Sequence, residues 1–111
     1  MKTVMILCCL FFINTAEAGP RLKDYADVKN DEKFQIYIFG IGEGYGIANV
    51  DIEIRGQRPF FCPPDKLALN KTNYLNILDK YINSPTGQKE PSDTPLEFLL
   101  IEGLKQTFPC H

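Results

Sequence analysis

An unbroken apolar run from Val4 to Ile13 constrains this chain more than any other feature, because it decides which residues are left to fold. Lys2 precedes the run, Asn14 and Thr15 end it, and Ala16-Glu17-Ala18 follows with the small-x-small pattern of a signal-peptidase site. Residues 1–18 therefore read as a cleaved secretory signal and residues 19–111 as a single exported domain. The run is shorter than the ~20 residues that cross a bilayer, so no membrane contact is expected after cleavage. Cys8 and Cys9 lie inside the run and not at its junction, which argues against a lipidated N-terminus.

Export bears directly on the cysteines. A domain this short buries only ~60–65% of its unfolded surface, so its core is marginal and a cross-link matters. Cys62 and Cys110 remain after cleavage, in a compartment where disulfides persist. A bond between them would stabilise the fold by roughly 4 kcal/mol in the chain-entropy model. The alternatives are a metal pair or a nucleophilic thiol. A metal site wants more ligands, and the single histidine, His111, is the last residue. The disulfide is the expected use, with no metal and no other cofactor. A net charge of −2, unchanged by loss of Lys2 and Glu17, offers no basic stripe for nucleic acid.

Along the exported part, residues 19–33 are polar and read as a frayed lead-in or a short helical turn. From Phe34 to Ile54 two readings compete. Phe-Gln-Ile-Tyr-Ile-Phe-Gly-Ile alternates and is rich in β-formers, as a strand is. Yet Gly40, Gly44 and Ala48 recur at spacing four, as do Tyr37, Ile41 and Tyr45, which on a helix makes a small-residue stripe beside a bulky one. Each glycine costs ~1 kcal/mol inside a helix, so the helical reading expects a second helix packed closely on that stripe.

Residues 55–66 read as a loop in which Phe60 and Phe61 plug the core beside Cys62. Asn70 then caps a helix with Leu75, Leu78 and Ile82 on one face and Tyr74, Ile77 and Tyr81 beside them, stopped at Ser84-Pro85. Ser84 to Asp93 is a polar connector. Thr94-Pro95-Leu96-Glu97 announces a last helix, with Thr94 as cap, Pro95 in its first position and Glu97 reaching back. Leu96, Leu99, Leu100, Gly103 and Leu104 form its apolar face before Phe108-Pro109-Cys110 ends it.

Few constellations carry chemistry. The glycines of Gly40 to Gly46 miss the dinucleotide spacing, which requires glycine at relative positions one, three and six. Glu43, Asp51 and Glu53 are close in sequence, and the expected use is hydrogen bonding or ion pairing, not acid–base work. Cys110 beside His111 is poor geometry for a nucleophile and its base. Asn70-Lys71-Thr72 fits a glycosylation sequon, but Asn70 is better explained as a helix cap. No catalytic residues are assigned.

Taken in order, several pieces resemble the Rap/Tai family of type VI secretion immunity proteins. They are Tyr37-Ile38-x-Gly40-Ile41-x-Glu43, Phe61-Cys62-x-Pro64, Lys80-Tyr81-Ile82 followed by Asn83-Ser84-Pro85, and the terminal Phe108-Pro109-Cys110. The resemblance implies an all-α domain closed by one disulfide, with the 34–54 segment helical and Cys62 bonded to Cys110. It also implies a periplasmic, non-enzymatic protein that blocks a peptidoglycan-cleaving amidase effector, in a family that includes homodimers. Many relatives carry a further cysteine where this chain has Phe34, so a second bridge is absent here.

The rival expectation is a small periplasmic acid-stress chaperone or a binding protein without a toxin partner. For the immunity reading, the partner surface is expected on the connector, with Pro85 and Pro91 stiffening its ends. Thr86, Gly87, Gln88, Lys89 and Glu90 would make the contacts on a projecting polar tip.

Overall fold

The computed structural model describes residues 19–111; the signal reading of residues 1–18, with Cys8 and Cys9, lies outside the described residues. Four α-helices follow one another: α1 (Tyr25–Val28), α2 (Glu32–Ile54), α3 (Lys71–Ile82) and α4 (Leu96–Thr107). Two 3-10 turns, Leu22–Asp24 and Gly87–Lys89, complete the order, and the fold is all-α. Among the described residues the only extended pairing is a single bridge between Arg21 and Pro95.

The ambiguous 34–54 segment is helical throughout. Asp31 caps α2 by accepting from the Lys33 N–H at 2.9 Å. Gly56, at φ +77°, closes it: its N–H donates to the Glu53 carbonyl and that of Gln57 to the Ile52 carbonyl. This is the Schellman arrangement, whose left-handed residue glycine adopts without steric cost. The β-formers of α2 are overridden because Phe34, Ile38 and Gly42 fall on one helical face, and that face is buried.

α3 and α4 pack as a hairpin beneath α2. Leu78, Leu96, Leu99, Leu100, Leu104 and Ile38 are fully buried, with Tyr74, Ile77, Tyr81 and Phe61 around them. The cap on α3 is reciprocal: Asn70 Oδ1 accepts from the Asn73 N–H, and Asn73 Oδ1 from that of Asn70. α4 departs from expectation. Pro95, not Thr94, is the residue before the helix, and Glu97 turns to the Tyr37 hydroxyl instead of reaching back to a cap.

The glycines need a larger correction. Gly40 and Gly44 face no second helix; a β-carbon added at either would meet nothing within 4 Å. The close approaches are at Gly42, where a β-carbon would lie 2.5 Å from the Tyr74 ring, and at Gly103, 3.0 Å from Ile77 Cγ2. Of the two readings of the lead-in, the helical turn holds: Leu22–Asp24 and Tyr25–Val28 are short helical turns. Leu22 and Lys23 donate backbone hydrogen bonds to Thr94 and Ser92, and Leu96 donates to Pro20, which pins residues 20–23 along the end of the connector. Lys23 also pairs with Asp93 at 3.0 Å, holding that carboxyl below its usual range.

Cys62 and Cys110 are bonded. Beside the bond the Cys62 N–H donates to the Phe108 carbonyl at 2.7 Å, so the loop and the chain end are joined twice. Of the two aromatics expected to plug the core, Phe61 does so and Phe60 stays exposed.

Candidate functional site

α2 has two unlike sides. Its inner side packs on α3 and α4, and near its C-terminal end it carries the one buried polar side chain of the described core, Asn49. The Asn49 amide donates to the Phe61 carbonyl at 2.7 Å and accepts from the N–H groups of Phe60 and Phe61. Both ends of the amide are satisfied, and the aromatic loop is thereby locked to the helix. The residue pattern hid this role; its only signal was an asparagine inside an otherwise apolar helical stretch.

The outer side has no partner within the described chain. Ile36, Gly40, Ile47 and Ile54 recur at intervals of four, seven and seven residues, close to whole helical turns, so they form one stripe. Ile47 is 72% exposed and Ile54 78%, with Val50 exposed beside them. Gly44 and Ala48 flank the stripe, and the chain there is open to solvent. α2 is about 34 Å long at 1.5 Å per residue, and on this side exposed Glu43 falls between Gly40 and Ile47 and exposed Asp51 between Ile47 and Ile54, so the isoleucines alternate with carboxylates.

The connector expected to meet a partner is not a projecting loop. Ser84 Oγ donates to the Tyr81 carbonyl and accepts from the Gly87 N–H. Gly87 is interior: a β-carbon there would stand 1.9 Å from the Tyr81 carbonyl oxygen, so this residue cannot touch a partner. Gln88 donates through Nε2 to the Ile82 carbonyl, and Glu90 accepts from the Tyr81 hydroxyl. Of the five residues, Thr86 and Lys89 are left as exposed side chains with no such tether to α3. The sequence could not show this, because the fixing bonds run from side chains to the last carbonyls of α3.

All five tyrosines donate across the helices. Tyr25 bonds Asp79, Tyr37 bonds Glu97, Tyr74 bonds Glu43 and Tyr81 bonds Glu90, while Tyr45 bonds the Glu97 carbonyl. The Tyr37 phenol is pushed up to about 12, first by its bond to Glu97. Those of Tyr74 and Tyr81 are also pushed to about 12, first by burial and then by Glu43 and Glu90. Burial raises Tyr25 and Tyr45 as well.

The remaining candidates disperse. Gly40 to Gly46 lie within α2, so their N–H groups are committed to the helix and cannot cradle a phosphate. Glu43 faces Tyr74, and Asp51 pairs with Arg55 one turn on, so the carboxylates serve separate contacts. A cleft of about 590 Å³ lies between α2 and the loop, lined by Glu43, Asn49, Glu53, Asp65 and Lys66 among others. Its buried polar residue, Asn49, already spends its carbonyl and one amide N–H on the loop backbone. No group of three metal-ligating side chains occurs among the described residues.

No family model, no curated protein and no solved structure matches the chain.

The pieces that carry the family resemblance fall on contacts that hold the fold. Tyr37 and Glu43 tie α2 to α4 and α3, Phe61-Cys62 and Phe108-Cys110 join the loop to the chain end, and Tyr81 holds the connector. Those contacts leave the outer side of α2 uncovered.

Proposed function

We propose that this chain is a periplasmic immunity-type protein that binds a secreted peptidoglycan amidase and blocks it. The observation that supports a binding role is the apolar stripe Ile36–Ile47–Ile54 on a helix whose other side alone forms the core. Isoleucines exposed this fully along one side of a helix fit a surface that a partner covers in use, and Glu43 and Asp51 among them would add charged contacts. Isoleucines over bare glycine backbone offer ridges and a shallow groove, which suits an apolar partner surface. The choice of an amidase as partner rests on the Rap/Tai-like pieces and on the signal-like N-terminus.

Inhibition tests this reading. The exported protein is added to peptidoglycan digests by a panel of secreted amidases. Stoichiometric inhibition of at least one member is expected; absence of both binding and inhibition across the panel would count against the immunity reading.

A further inference from the structure

The outer face of α2 carries the proposed function, and the cleft beside Asn49 is lined by charged side chains of both signs, Glu53, Asp65 and Lys66, which select no one ligand. The start of the described chain is different. Three backbone bonds fix residues 20–23 against the entry to α4: Leu22 N–H to Thr94, Lys23 N–H to Ser92, and Leu96 N–H to Pro20. The Arg21 guanidinium donates to the Asp93 carbonyl at 2.5 Å. Arg21 N–H donates to Asp24 as well, so the turn after it is closed. Gly19 is thereby delivered to one place. A β-carbon there would stand 2.5 Å from Glu97 Oε1 and 3.1 Å from the Tyr37 hydroxyl oxygen. The α-nitrogen shares the α-carbon with that position, so it lies within about 5 Å of the carboxylate at most.

We infer that Glu97 and Tyr37 form a binding site for the α-ammonium group that appears on Gly19 when the chain is cut after Ala18. This rests on the signal-cleavage reading of residues 1–18. In the cut, the Ala18–Gly19 amide bond breaks. Water supplies hydroxyl to the Ala18 carbonyl and a proton to the Gly19 nitrogen, and a second proton from solvent makes the ammonium. Before the cut that nitrogen is a neutral amide with one N–H; afterwards it is a cation with three donors. Glu97 lies in the first turn of α4, where a carboxylate is favoured by the helix, and the Tyr37 hydroxyl holds it in place. A side chain at residue 19 would displace this pair, so glycine is the residue that lets the new terminus approach. Processing thus adds the last fastening of the N-terminal segment, after export and not before it.

The groups around the amine are Glu97 from α4, Tyr37 and Tyr45 from α2, and Arg21 with the Lys23–Asp93 pair alongside. A Glu97 carboxylate in contact with the amine would hold it above the ordinary range of about 7.7–8.0, against the opposing effect of the Arg21 cation two residues away. A raised folded-state value means the contribution is complete below the unfolded value and is lost as pH rises through the folded one.

Two measurements on the exported protein decide the matter. Intact mass fixes the first residue, expected to be Gly19; a different start overturns the proposal together with the signal reading. NMR titration of the Gly19 amine should then give a value raised by about half a pH unit or more, returned to the ordinary range by Glu97→Gln. Retaining Ala18 as an extra first residue should lower Tm at neutral pH about as much as Glu97→Gln does, and the two changes should not add. An amine that titrates normally in protein starting at Gly19 overturns the site while leaving the signal reading intact.

Discussion

The two sides of α2 are built from the same residue types and do opposite things. On the inner side Phe34, Ile38 and Gly42 are buried, and Gly42 is the point where the Tyr74 ring meets bare backbone. On the outer side Ile36, Gly40, Ile47 and Ile54 repeat that mixture with nothing against them. Composition and spacing therefore cannot tell a packing glycine from an exposed one. Only the register of the neighbouring helices decides it. The inner side holds the fold, and the outer side is the surface proposed above for a partner.

That contrast can be broken from the inside first. Cys110→Ser should cost about 4 kcal/mol, within the usual 2–5 kcal/mol for a small secreted domain, measured by denaturant unfolding under oxidising conditions. The bond closes a loop across 48 positions, and its loss frees the loop that Asn49 locks to α2. A cost below about 1 kcal/mol would mean that the Cys62–Phe108 backbone bond and the core already fix the chain end.

Gly87→Ala comes next. The new methyl would collide with the Tyr81 carbonyl, which is backbone and cannot swing aside, so a loss of about 3 kcal/mol is expected. Gly42→Ala should cost somewhat less, roughly 1–3 kcal/mol, because its obstacle is a tyrosine ring with some room to shift. On the outer side the sign reverses. Gly40→Ala and Gly44→Ala should each raise stability by about 1 kcal/mol, because alanine is the better helix former and meets nothing there. A fall in Tm for either would show that the stripe is packed in the isolated protein.

The smallest effect is one of pH. The phenols of Tyr37, Tyr74 and Tyr81 rise from the ordinary 10 to about 12 in the folded protein. Their neutral form is favoured by folding, so the contribution is complete below pH 10 and fades as pH climbs toward 12. Unfolding followed through that window should coincide with the appearance of phenolate absorbance. Tyr74→Phe should flatten the dependence while leaving the ring in the core.

These outcomes bear on how much the amino-acid pattern could show. α3 was legible in detail because Asn70, Leu78 and Ile82 each obey a local rule, as did the apolar face of α4. The disulfide followed from two cysteines in a chain with an export-like start. α2 was not legible from its residues alone, because its β-formers and glycines oppose the helix locally and only burial of Phe34 and Ile38 overrides them. The ordering of the connector was hidden for a related reason. Ser84, Gln88 and Glu90 look like a solvated tip, yet each spends its side chain on α3 or Tyr81. Long-range bonds of this kind leave no periodic mark.

In the proposed function the outer side of α2 is dispensable for folding and needed for binding. Ile47→Gln, which removes the apolar side chain without placing a third carboxylate between Glu43 and Asp51, tests it most directly, measured as Tm and as affinity for whichever amidase the unaltered protein inhibits. The predicted result is a Tm within a degree or two of the unaltered protein and an affinity lowered by about 100-fold, as for a central apolar anchor. Unchanged affinity at unchanged Tm, or a loss of Tm comparable to that of Gly42→Ala, would contradict it.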